Sequence, residues 1–229
     1  IYLIVWDTVA QVQGGSVGSY SSSDFAAYFL ALMVVDRLTF TWIMWEYEFF
    51  IREGTLARRL LRPLHPFWVD VMDNLAYKAF IMVVLVPTVL VLTVFFRPSF
   101  QTTFPDLLAF LPALVLAFAL RFCLEWALAM AAFWTTRINA INQVYFVVFL
   151  FFSGRLAPLE LLPGYAQTLA NALPFRWMLS FPLEVLLGRL SAQEIAVGYA
   201  VQIGWTGVAV AALLLAWRSG VKQFSAVGS

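Results

Sequence analysis

Four ionisable residues stand inside long apolar runs: Asp36, Arg37, Arg121 and Glu125. Charges at membrane depth are costly and are kept where they pair or serve a pathway. Arg121 and Glu125 are four residues apart, so one helix would let them neutralise each other. Asp36 and Arg37 are adjacent, about 100° apart around a helix, and need partners elsewhere. Cross-pairs of Arg121 with Asp36 and of Glu125 with Arg37 stay open on sequence grounds. As ion sites, these four residues would serve an ATP-independent channel or secondary carrier. The other reactive residue types point to no chemistry. The single histidine, His65, lies in a loop, and Ser153 with Gly154 lies at the opposite end of a span, so no Ser–His dyad forms. There is no H-E-x-x-H or similar metal spacing and no G-x-x-x-x-G-K-[ST] phosphate loop. No catalytic residue, metal ligand or nucleotide site is therefore assigned to this chain, and nothing argues for a carboxylate-only enzyme.

The elements that carry these residues follow from composition. The chain has 229 residues, of which 62% are hydrophobic and 12% charged. Soluble domains average roughly 25% charged residues, so this chain cannot cover a water-facing surface. A soluble enzyme and a disordered chain are excluded. A net charge of +1 excludes bulk electrostatic capture of nucleic acid. One cysteine, Cys123, excludes an internal disulfide framework. A polytopic membrane protein remains.

A helical span needs about 20 apolar residues, and the long uninterrupted runs favour helices over a barrel. Spans are predicted at 25–46, 77–96, 106–134, 139–156 and 195–217, and residues 1–6 are read as the end of a truncated first span. The fold class is thus all-α, with six transmembrane helices. Arg52, Arg58, Arg59, Arg62 and Lys78 lie between the second and third spans, Arg137 in the next turn on that side, and Arg218 and Lys222 after the last span. The positive-inside rule makes that side cytoplasmic, together with the C-terminus. Arg97, Arg155, Arg176 and Arg189 fall on the opposite side.

Two connecting segments are unusual. In 47–76, Gly54 is predicted to break the incoming helix. Thr55 would cap a short amphipathic helix with Leu56, Leu60 and Leu61 on one side. Arg58, Arg59 and Arg62 would point to water, and Pro63 and Pro66 would end it. That helix either anchors the loop on anionic lipid or docks a cytoplasmic partner. Segment 157–194 holds short apolar stretches ended by Pro163, Gly164, Pro174, Pro182 and Gly188. Each is too short to cross a bilayer of about 30 Å. They suit re-entrant helices lining or lidding a cavity, or interfacial helices at the outer surface. Asp24 is predicted to cap the helix after the polar loop 14–24. Asn139, Asn142 and Gln143 could bond to neighbouring helices, and Ala196, Ala200, Gly204, Gly207 and Ala211 form a small-residue pattern for close helix approach.

Ile51–Pro66 (IREGTLARRLLRPLHP), Phe151–Pro163 (FFSGRLAPLELLP), Leu173–Ser191 (LPFRWMLSFPLEVLLGRLS) and the tail WRSGVKQFSAVGS resemble the membrane subunits of bacterial ABC type-2 exporters. The resemblance covers the chain from about residue 14 and departs at the start, where most of a first span is missing. It implies a permease dimer, of like or unlike chains, in the bacterial inner membrane. It also implies an amphipathic substrate such as a drug, lipid or natural product. Two cytoplasmic ATPase subunits would bind the ATP and magnesium. It implies that Arg52, Glu53, Gly54, Arg58, Arg59 and Arg62 belong to a coupling helix on the ATPase. It implies that Leu156–Arg189, with Pro158, Leu159, Pro163, Pro174, Phe175 and Arg176, forms short re-entrant helices that close the outer exit.

Overall fold

A computed structural model describes residues 2–135 and 138–223. Arg137 and the tail from residue 224 onward lie outside the described residues. The chain is an all-α membrane protein, with one short hairpin, Ser16–Val17 paired with Tyr20–Ser21. The helices in order are α1 (Tyr2–Val12), α2 (Ser22–Thr39), α3 (Ile43–Arg52), α4 (Thr55–Leu60), α5 (Pro66–Phe96), α6 (Phe104–Ala129), α7 (Ile138–Phe152), α8 (Gly164–Ala172), α9 (Pro174–Met178), α10 (Ser180–Leu186) and α11 (Ala192–Gln223). Among the described residues four helical segments are long and apolar enough to cross a membrane: Ser22–Arg52, Pro66–Phe96, Phe104–Phe133 and Ala192–Gln223. The apolar α7 is shorter.

The long helices run between two ends. One end carries α4 and the last turns of α11; the other carries the hairpin and α8 to α10. Helices α6 and α11 form the central pair, with α2, α3 and α10 packed on α6. The most apolar stretch of Ser22–Arg52 is 67% buried, whereas that of α5 is only 6% buried. Helix α5 is therefore a peripheral helix that packs mainly on α2.

Several boundaries differ from the sequence pattern, each for a local reason. The second predicted span is broken. Phe40 leaves the helical conformation at φ −58°, ψ 142°, and α3 restarts after Trp42. The backbone exposed by that break is satisfied from other helices: Lys78 Nζ donates to the Phe40 carbonyl at 2.9 Å. Gly54 breaks the next helix through a left-handed conformation at φ +66°, and it occupies the cap position predicted for Thr55. Thr55 instead begins α4 and its hydroxyl reaches back to the Phe50 carbonyl at 3.4 Å. Leu56 is buried but Leu61 is 87% exposed, so α4 has a narrower apolar side than the pattern predicts. Pro66 opens α5 rather than closing α4, because a first-turn proline loses no helical bond, and His65 caps that helix. Ser21 is the cap of α2, with Asp24 completing a reciprocal capping box.

The small-residue pattern on α11 is also used differently. Ala196, Ala200, Gly204, Gly207 and Ala211 are exposed. Close approach occurs at Gly198 and Gly220, where an added Cβ would lie 1.9 Å from the Phe181 ring and 2.2 Å from the Phe133 ring. These contacts seat α10 and the Met130–Phe133 turn against α11.

Candidate functional site

Midway along the bundle, Arg121 organises a buried polar cluster. Its Nε donates to Glu125 Oε1 at 2.8 Å and its Nη1 donates to Asp36 Oδ1 at 3.1 Å and to Thr39 Oγ1 at 3.2 Å. The guanidinium also lies over the rings of Phe149, at 4.5 Å, and Phe40, at 5.3 Å. Both pairings open to Arg121 are thus made at once. Glu125 does not meet Arg37: it accepts hydrogen bonds from Tyr145 Oη at 2.9 Å and from Thr41 Oγ1. Arg37 points out of the bundle and makes no ion pair among the described residues. The second partner of Asp36 is Arg155, at 3.3 Å. Arg155 follows α7 in sequence and is assigned by the span pattern to the opposite side, but its long side chain reaches inward. Breaking a buried pair on one side costs about 3–5 kcal/mol. The cluster therefore ties α2, α6 and α7 tightly.

At the α4 end a second carboxylate collects donors from three other elements. Asp70 is 1% exposed. Its Oδ1 accepts from Arg59 Nη1 at 2.6 Å, and its Oδ2 accepts from Tyr47 Oη at 2.8 Å and Trp126 Nε1 at 3.0 Å. Arg59 therefore turns inward rather than to water. Burial works against its charge, but the Asp70 carboxylate more than offsets this and holds the guanidinium pKa above its ordinary value. Arg52, Glu53, Arg58 and Arg62 remain exposed, and Arg52 pairs loosely with Glu53 at 3.5 Å. Gly54 supplies the turn between α3 and α4.

Helix α7 presents a third polar feature. Asn142 is 2% exposed, yet among the described residues neither its Oδ1 nor its Nδ2 has a hydrogen-bond partner. It lines a cleft of ≈ 420 Å³ with Asn139, Gln143, Trp45, Phe146 and Val147. Asn139 and Gln143 are exposed on this face, one helical turn apart. A buried amide without a partner costs about 1–3 kcal/mol. This face therefore suits a polar ligand, water or another protein chain better than lipid tails.

At the hairpin end, α8 to α10 fold back on the bundle. Gln202 lies ten residues into α11, about 15 Å along it. Its Nε2 donates to the Trp177 carbonyl of α9 at 2.8 Å and to the Ala113 carbonyl at 3.2 Å. Tyr28 donates to the Gly154 carbonyl at 2.6 Å. Pro158, Leu159 and Pro174 are buried, Leu156 and Phe175 are partly buried, and Pro163 is exposed. The Leu156 carbonyl accepts from Trp6 Nε1 at 2.9 Å, which ties α1 to this segment. Phe175 packs against Tyr145 and Phe149 of α7, with ring centroids 5.8 and 6.2 Å apart. Arg176 bonds to Glu184 at 2.9 Å and to Asn171.

Sequence reasoning passed over Asp70, Thr41 and Tyr145, and used Lys78 and Arg155 only to orient the spans, giving them no place in a buried cluster. Asp70 and Lys78 did carry a signal. Asp70, Asn74 and Lys78 recur every four residues, which marks one face of α5, and all three are buried. No metal-binding group of His, Cys, Asp and Glu occurs among the described residues.

Apolar helices of spanning length, with ionised side chains held in buried pairs, define a multi-pass membrane protein. A family model described as ABC-2 family transporter protein matches residues 1–228. The chain belongs to that family, whose members are permease components of ABC-type transport and act with ABC ATPase subunits. No curated protein and no solved structure matches the chain.

Proposed function

We propose that this chain is the permease subunit of an ABC exporter for an amphipathic substrate such as a drug, lipid or natural product. The observation that carries this reading is the α7 face. Asn142 offers a buried amide with no partner among the described residues, and the exposed amides of Asn139 and Gln143 line the same cleft beside Trp45, Phe146 and Val147. Such a wall suits a molecule with both polar and apolar parts. A second permease chain, like or unlike, would close the cleft from the other side, and Asn142 would find its partner there or on the substrate.

The α4 end would face the cytoplasm of a bacterium and the protein would sit in the inner membrane. Support comes from the basic residues at that end, Arg52, Arg58, Arg59 and Arg62, together with Arg218 and Lys222 of α11; Lys78, counted with them from the sequence, is instead buried within the bundle. Helix α4 would dock a cytoplasmic ATPase dimer, which binds the ATP and magnesium. Arg52, Glu53, Arg58 and Arg62 would make that contact, with lipid headgroups around them. Gly54 would set the helix angle and Arg59 would hold the helix to the bundle. The α8–α10 segment would be re-entrant and close the outer exit. The depth of its contact with Gln202 supports this. An ATP-independent carrier has less support, because Asp36 and Glu125 are already paired with Arg121 and Arg155.

The test is co-purification of the ATPase partner with an Arg58→Glu, Arg62→Glu variant, alongside transport in vesicles. Loss of the ATPase with normal yield of the permease is expected. Full ATPase recovery with intact transport would refute the docking assignment.

A further inference from the structure

Asp70 sits where four helices meet. It belongs to the first turns of α5, and its donors come from α3 (Tyr47), α4 (Arg59) and α6 (Trp126). Every contact is charge-assisted, because the acceptor is a carboxylate, and such bonds are roughly twice as strong as neutral ones. The Arg59 guanidinium is further held over the Phe50 ring of α3 at 4.0 Å. On its far side, Trp126 packs against Tyr47, Phe67 and Trp217, with ring centroids 5.3, 5.8 and 5.0 Å apart. Trp126 is also the immediate neighbour of Glu125, the residue that binds Arg121 and Tyr145.

The arrangement has a mechanical consequence. Helix α4 is six residues long, with a glycine turn on one side and a loop on the other. On its leucines alone it would peel away from the bundle under load, since only Leu56 is fully buried. Withdrawing Arg59 would instead leave a buried carboxylate without its counter-charge, which is strongly unfavourable. Helix α4 must then move with α5 and α6 as one body. From α6 the displacement reaches α2 through Asp36 and α7 through Tyr145, which carries the orphan Asn142 face.

We infer that Asp70, with Arg59, Tyr47 and Trp126, is a positioning latch that makes α4 rigid with α5 and α6 and so passes movement at the α4 end to the polar face of α7. This rests on the reading of α4 as the ATPase-docking helix. Asp70 touches neither substrate nor ATPase; it acts through the elements it joins.

The experiment is hydrogen–deuterium exchange of the permease bound to its ABC ATPase partner, before and after addition of ATP and vanadate. Peptides of α4 and α6 are compared in the native chain and in Asp70→Asn. In the native chain both helices are expected to respond. In Asp70→Asn the ATPase stays bound and α4 still responds, while the α6 response falls by about tenfold or more. Arg59→Gln is expected to behave alike, and Arg59→Lys to restore part of the α6 response. Tyr47→Phe, which removes one neutral donor, covers the case in which Asp70→Asn fails to fold, and is expected to weaken the α6 response without weakening that of α4. An unchanged α6 response in the variants, or a native α4 response without one in α6, would overturn the latch. A native complex whose α4 does not respond at all would instead overturn the docking reading, and the latch with it.

Discussion

Helices α5 and α7 both stand at the edge of the bundle with apolar side chains turned outward, but their exposed faces differ. On α5, Phe80, Val83, Val84, Leu90, Val91, Val94 and Phe95 are all more than half exposed. The exposed hydroxyl of that face, Thr88, donates to its own helix at the Val84 carbonyl, 2.7 Å away. On α7, Val144 and Val147 are comparably exposed, but Asn139 and Gln143 share the surface, and Asn142, buried beneath them, has no partner among the described residues. A face with its polar groups satisfied internally suits lipid, and a face with amides left over requires something polar opposite. On the proposed function, the difference would separate a wall against the bilayer from a wall against a partner or a pathway.

The largest expected effect comes from placing a charge on each face. Arginine at the centre of a lipid-facing helix costs about 2.5–3.5 kcal/mol. Val84→Arg is therefore expected to reduce the yield of membrane-integrated protein severely, and Val147→Arg much less. Equal losses in a membrane-fraction assay would erase the distinction. Next comes Asn142→Leu, which removes the orphan amide at nearly constant volume. Thermal unfolding of the isolated permease should show it more stable by about 1 kcal/mol. ATP-driven transport should fall by about tenfold, because the face loses its polar partner for substrate or second chain. A destabilised variant with normal transport would break the account of α7. Tyr145→Phe is smaller. It takes one donor from Glu125 and should cost about 1 kcal/mol in a denaturation experiment. Smallest is Val91→Leu on α5, expected to stay within about 0.5 kcal/mol and to leave transport unchanged.

The long apolar runs made the helices legible before any coordinates, and the helix break at Gly54 was legible from the residue type. What stayed hidden depended on tertiary partners. Thr39, Phe40, Thr41 and Trp42 read as a continuation of an apolar span, and the break there is tolerated because Lys78 meets the Phe40 carbonyl, while Glu125 accepts from the Thr41 hydroxyl. The inward turn of Arg59 was invisible because the 77–96 window starts after Asp70 and assigns that residue to a loop. Arg155 was placed by span counting, which locates a backbone and not the reach of a long side chain. The exposed Ala196 pattern and the buried Gly198 lie on the same helix, and only the position of Phe181 decides which one is packed.

The central claim is that the α7 face is polar and accessible while the α5 face meets lipid. Its most direct test is cysteine accessibility in the membrane-embedded complex, on a Cys123→Ala background. Gln143→Cys and Phe146→Cys are compared with Val84→Cys and Val91→Cys. A small water-soluble maleimide should label the α7 positions, or a cross-linker should join them to a second permease chain, while the α5 positions stay unlabelled. Equal labelling of both helices, or labelling of α5 alone, would contradict the account.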